Sequence, residues 1–374
     1  MTTATGAPAR LTPMDVAGRI DRLRSALAQA GVEALLVTNL TNVRYLTGFS
    51  GSAAHLMVGP DDALLATDGR YRIQAEEELS SAGARAGVFV GRVAEQRQAL
   101  MAAGTGVGRL GLEAASVSWA RQRELAAEWF PGAEVVPTEG LVEELRRRKD
   151  PGEIARVAEA ARLTDHALAT VVSQMAVGVT EAEVALALDS ELRRLGASGS
   201  AFDTIVAAGP NSAKPHARPS ARPVAERELV VVDVGAVVDG YRSDMTRTFC
   251  LGEPPPLLRT VVEAVAESQR AGVAAVRAGR PAAEVDTACR EVIAAAGWGD
   301  AFVHGTGHGV GLDIHEAPSV AATSGDTLAA AHVVTVEPGV YLPDQGGARI
   351  EDTVVVTDDG CIPLTNAPKD LVIE

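Results

Sequence analysis

Between Leu229 and Phe249 the chain reads as two β-rich runs, LVVVDVGAVV and YRSDMTRTF, joined by Asp239-Gly240. Asp-Gly between such runs is a strong hairpin signal, because a tight two-residue loop needs positive φ at both positions. With these two residues as the loop, Val238 faces Tyr241, Asp233 faces Thr246, and Asp244 falls one diagonal step from Asp233 on the same face. Diagonal neighbours lie roughly 7–8 Å apart, so the two carboxylates project together. Burying one carboxylate in so apolar a hairpin is costly, and a like-charged pair costs more, unless cations compensate. A lone strand aspartate reads as a solvent-facing edge, whereas this pair predicts a metal site.

Further along, His304-Gly-Thr-Gly-His308-Gly-Val-Gly-Leu-Asp-Ile-His315 sets three of the chain's seven histidines among closely spaced glycines. Glycines permit tight turns and close backbone approach, so an imidazole can reach a ligand deep in the structure. Their positions, 305, 307, 309 and 311, do not fit G-x-G-x-x-G, and no P-loop lysine follows, which argues against a nucleotide loop. Two more carboxylates stand in strand context, Glu337 in VVTVEPGVY and Glu351 in ARIEDTVVV. Period-2 alternation puts Arg349 and Glu351 on one face, and points Asp352 the other way as a surface carboxylate. Four carboxylates and one neutral histidine balance two divalent cations in formal charge. Oxygen-rich ligation suits manganese, with cobalt or zinc as alternatives. Two such ions, about 3.5–4 Å apart, generate a hydroxide nucleophile from water near neutral pH and polarise the carbonyl it attacks.

The 374 residues suit two domains. Hydrophobic residues at 47% and charged ones at 22% mark a globular chain rather than a disordered one. A formal charge of −15 opposes phosphate backbones and anionic lipid, so neither nucleic acid nor membrane is an expected partner. The basic run Arg146-Arg147-Arg148-Lys149 follows Glu143-Glu144 and reads as the charged end of a helix. The opening MTTATGAPARLTPMD lacks the charged start and apolar core of a secretory signal, and no apolar run approaches the roughly 20 residues needed to cross a bilayer. Three widely spaced cysteines, Cys250, Cys289 and Cys361, make neither a disulfide framework nor a zinc ribbon. These features predict a reducing, cytoplasmic setting.

The first part alternates helix-like and strand-like patterns: Val16 to Ala30 is amphipathic, Ala34 to Thr38 is a short apolar strand, and Leu56 to Asp68 is a hairpin around Pro60-Asp61-Asp62. A boundary near residue 138 divides the chain into domains 1–138 and 139–374. Beyond it, helical patterns at Glu153 to Ala176 and Glu181 to Gly196, the second capped by Thr180, precede the hairpin at 229–250. A second helix pair, Leu257 to Ala278 and Ala282 to Ala296, precedes the strands of 333–357. The fold class is therefore α/β (α+β), with "two helices, then antiparallel strands" occurring twice.

Together these motifs resemble the metallopeptidase family that includes aminopeptidase P, prolidase and methionine aminopeptidase, and the resemblance covers nearly the whole chain. It implies a creatinase-like N-terminal α/β domain followed by a pita-bread catalytic domain, a curved antiparallel sheet flanked by helix pairs. It implies Asp233, Asp244, His308, Glu337 and Glu351 as the metal ligands, with Asp244 and Glu351 bridging and Glu337 shuttling a proton. FDTIVAAGPN (202–211) and Pro215-His216 look like the proline-peptide branch. By the same resemblance His216, His304, His315 and Tyr341 form the substrate pocket, with His216 and His315 steadying the tetrahedral intermediate and Arg349 orienting a carboxylate ligand. Asn42 to Gly51 and Thr67 to Tyr71 look like the N-terminal domain, which implies a homodimer and brings Arg70 and Tyr71 forward as residues that could reach substrate. The expected reaction is hydrolysis of the Xaa-Pro bond at the N-terminus of dipeptides or short peptides. Two alternatives keep the fold: lysis of a small charged metabolite at the same metals, and peptide binding without turnover.

Overall fold

A computed structural model describes residues 11–373. By internal contacts the chain divides into Pro13–Arg146 and a second unit from Arg147 onward. In the first unit, strands β1 (Ala34–Val37), β2 (Ala54–Val58), β3 (Ala63–Thr67), β4 (Gly87–Val90), β5 (Arg109–Glu113) and β6 (Glu134–Thr138) form one mixed sheet in the order β4-β3-β2-β1-β5-β6. The β2–β3 hairpin is antiparallel, while β5 and β6 run parallel to β1. Helices α1 (Arg19–Ala30), α2 (Leu40–Thr47), α3 (Arg72–Ala82), α4 (Val93–Ala103), α5 (Trp119–Glu124) and α6 (Leu141–Arg147) complete the α/β order. Leu36, Met57, Leu112 and Trp129 meet in its core.

The second unit opens on α7 (Pro151–Val172). It starts two residues earlier than the periodicity implies, because Asp150 caps it reciprocally with Glu153 and Pro151 suits the first turn. Helix α8 (Glu181–Arg194) begins at Thr180, whose hydroxyl accepts the Glu183 N–H. Strands β7 (Gly199–Ser200) and β8 (Ile205–Ala208) lead into β9 (Leu229–Val234), β10 (Ala236–Val238), β11 (Tyr241–Arg242) and β12 (Met245–Leu251). After α9 (Pro256–Ala275) and α10 (Ala282–Ala295) come β13 (Gly307–Gly309), β14 (Glu316–Val320), β15 (Val333–Val336), β16 (Gly339–Leu342), β17 (Gly346–Arg349), β18 (Asp352–Val356), β19 (Cys361–Pro363) and β20 (Val372–Ile373).

Two half-cores follow from this order. One packs α7 and α8, through Leu163, Leu188 and Leu192, onto Val230, Val232 and Phe249. The other packs α9 and α10, through Val261, Val265 and Ile293, onto Val334, Val336 and Val354. The hairpin between them has Val238 opposite Tyr241 and Thr246 opposite Asp233, as alternation requires. Asp239 and Gly240 take φ of 47° and 81°, the left-handed pair of a type I′ turn. The strand breaks at Gly235, where a Cβ would strike the Ser243 carbonyl oxygen, and a Cβ at Gly307 would likewise strike that of Thr335. Backbones thus approach closely on both sides of the predicted ligands. No helix among the described residues is long and apolar enough to cross a membrane.

Candidate metal centre

Asp233 near the end of β9, Asp244 just before β12, His308 in the middle of β13, Glu337 just after β15 and Glu351 just before β18 all line one cavity of about 540 Å³. The 229–250 hairpin, the glycine-rich segment and the strands of 333–357 converge there. Ligand atoms of Asp244, His308 and Glu351 lie within 4.8 Å of one another. His308 donates Nδ1–H to the Gly309 carbonyl at 3.0 Å. Its Nε2 therefore faces the carboxylates, 3.3 Å from Glu337 Oε1 and 3.6 Å from Asp244 Oδ2.

Two of the carboxylates are gripped on one side only. Asp233 Oδ2 accepts Arg349 Nη2–H at 2.7 Å, and Glu351 Oε2 accepts the Thr246 hydroxyl at 2.7 Å. The partner oxygens, Asp233 Oδ1 and Glu351 Oε1, are buried without a hydrogen bond. Native interiors rarely leave such atoms unpaired, and an ion is one of the few explanations. Burial pushes the Asp244 and Glu351 carboxyls well above their usual range, and neighbouring carboxylates push them further. Burial also opposes ionisation of Glu337, but the His308 hydrogen bond and the charges of His308 and Arg349 outweigh it and hold the carboxyl at about 2. Cations among these oxygens would remove the repulsion, so the residues present fit a divalent metal.

Arg349 organises the back of the site. Besides Asp233 it donates to Tyr341 Oη at 2.9 Å and to Thr246 Oγ1 at 3.0 Å. Having accepted from Arg349, the Tyr341 hydroxyl donates to His304 Nε2 at 2.8 Å, and His304 Nδ1 donates to the Gly305 carbonyl at 2.7 Å. Both nitrogens of His304 are therefore committed within the protein. His304 lines the cavity as expected, while Tyr341 is not among the cavity-lining residues. His216 lines the cavity and is exposed, and the His315 ring stands edge-on to His308 with centroids 4.2 Å apart. Arg70 and Tyr71 are engaged in the first unit, with Asp68 at 2.7 Å and the Ser52 hydroxyl at 2.7 Å respectively.

The expectation for Asp352 is corrected. It is 4% exposed and takes four donors: Arg247 Nη2 at 2.9 Å, Lys369 Nζ at 2.5 Å, Gln269 Nε2 at 2.9 Å and Thr365 Oγ1 at 3.0 Å. The face opposite the ligands is covered by α9 and the C-terminal segment, so pointing away from the site is not pointing into water. Thr246 was also missed. The register that pairs it with Asp233 already set its hydroxyl on the ligand face.

Four carboxylates and an imidazole aimed into one cavity make the donor set of a divalent-metal enzyme. The chain belongs to metallopeptidase family M24, whose model matches residues 155–358, and the creatinase/prolidase N-terminal domain model matches residues 19–148. The second unit thus has the pita-bread architecture. The chain is 38% identical to a solved Xaa-Pro dipeptidase from Bacillus anthracis, covering 95% of this chain and 99% of that one with a TM-score of 0.89. It is 32% identical to the Xaa-Pro dipeptidase of Pyrococcus furiosus, over 95% of this chain and 99% of the relative. An X-Pro aminopeptidase structure from Thermotoga maritima is also 32% identical, covering 93% and 100% with a TM-score of 0.86.

Proposed function

We propose that the chain hydrolyses the Xaa-Pro bond at the N-terminus of dipeptides or short peptides, with two divalent ions, manganese first, held by Asp233, Asp244, His308, Glu337 and Glu351. The observation that carries the reading is the pair of buried, unpartnered oxygens on Asp233 and Glu351 in a cavity that all five residues line. Relatives of matching length whose names specify Xaa-Pro peptides supply the substrate class.

When bound, the ions lower the pKa of water and polarise the scissile carbonyl. Everything else falls to the chain. Glu337, which lines the cavity with its Oε1 3.3 Å from His308 Nε2, would accept the proton of the attacking water and pass it to the proline nitrogen as the amine leaves. His315 and the exposed His216 offer N–H donors to the developing oxyanion. Arg349 fixes Asp233, and His304 acts through Tyr341 to fix Arg349.

Chelation is expected to abolish cleavage of Ala-Pro, and manganese to restore it; activity indifferent to both would overturn the metal assignment. Ala-Pro left intact by the loaded protein would overturn the substrate assignment. Comparing Ala-Pro with Ala-Pro-Gly-Gly separates dipeptidase from aminopeptidase.

A further inference from the structure

Strand β14 follows directly on His315, and two cations from one short segment hold it at both ends. Lys149 Nζ donates to Glu316 Oε1 at 2.6 Å, with side chains 1% and 7% exposed. Arg147 Nη2 donates to Asp326 Oδ1 at 2.8 Å, and Asp326 Oδ2 accepts the Ser319 N–H at 3.0 Å. The Lys149 N–H donates to the Ala331 carbonyl at 2.9 Å, just ahead of β15. The clamp thus ties β14 to the strand that leads into Glu337. The Glu316 carboxylate occupies the place where a Gly311 side chain would stand, so the glycine-rich segment makes room for it.

A buried ion pair pays a desolvation penalty that can cancel its attraction, and apolar replacements of similar volume are often as stable. The pairing of Lys149 with Glu316 is therefore weak evidence for a role in stability alone. We propose that Lys149, paired with Glu316, is a positioning residue that sets the 311–316 segment so that His315 faces the metal centre. Neither side chain lines the cavity. The effect passes through His315, which does.

The proposal rests on the Xaa-Pro reading of the site. In the metal-loaded full chain, Lys149→Met should lower kcat on Ala-Pro by about 10–100-fold, the usual range for groups that orient a metal site, with KM within about threefold and bound metal unchanged. Lys149→Arg, keeping the charge, should recover part of the loss. On a His315→Ala background, Lys149→Met should cost less than about twofold more, because the residue it acts through is gone. Wild-type rates in Lys149→Met, or losses that multiply in full on that background, would overturn the proposal. Should Lys149→Met not fold, Glu316→Gln is measured in the same way. A wild type that leaves Ala-Pro intact overturns the substrate reading instead. Crystal structures of wild type and Glu316→Gln then decide the positioning role, with an unmoved 311–316 segment counting against it.

Discussion

Glu351 and Asp352 are neighbours in sequence, both buried, and they solve the problem of a buried carboxylate in opposite ways. Asp352 is saturated by protein, with two donors on each oxygen, two of the four cationic. Glu351 keeps one oxygen bare among other carboxylates. Burial alone does not mark a site; incomplete satisfaction among like charges does. Arg247 joins the two regions. It pairs with Asp352 while donating to the carbonyls of Thr246 and Glu351, so the saturated side holds the backbone of the unsaturated one.

The comparison predicts which substitutions break chemistry and which break the fold. Glu351→Gln should cost the most activity, on the order of 10³-fold in kcat/KM, since several kcal/mol of metal-derived stabilisation go with the ligand. Its thermal unfolding in chelator should be no lower than wild type, because one like charge has been removed; a large fall would make Glu351 structural. Asp352→Asn should do the reverse. Leaving Arg247 buried without its anion should cost about 3–5 kcal/mol, roughly 10 °C in Tm, while bound metal in the folded protein is retained. Metal lost in proportion to activity would erase the distinction. Thr246→Val, which removes the hydroxyl shared by Glu351 and Arg349, should weaken metal affinity or kcat by about 10–100-fold in titrations with manganese.

The smallest effect lies in the other unit. Burial, and then the charge of Arg121, lowers the His55 pKa from 6.5 to about 4. The unfolded chain therefore binds the extra proton first, and stability falls as pH drops from about 6.5 to about 4. His55→Leu should reduce the slope of that part of the stability–pH curve, read by denaturant unfolding at each pH, and leave the share of His332, which burial likewise lowers to about 4. An unchanged slope would assign the acid sensitivity elsewhere.

The hairpin around Asp239-Gly240 could be read to the residue, because turn chemistry and alternation are local rules. The opposite face of Glu351 could not. Alternation says which side Asp352 takes but not what covers it, and Gln269 and Lys369 lie 83 and 17 residues away. Lys149 and Glu316, 167 residues apart, left no pattern at all. His304 was placed in the cavity, but its Nε2 hydrogen bond depends on where Tyr341 falls, which only the folded chain decides.

Gly235 and Gly307 carry a practical consequence for any saturation library of this gene. Neither carries a side chain that could react, yet every replacement meets a carbonyl oxygen beside a ligand-bearing strand. Both positions would vanish from a survival screen as completely as Asp233 or His308. A fitness map alone would therefore draw an oversized active site. Scoring protein abundance alongside turnover is what would separate the residues that react from those that let the strands meet.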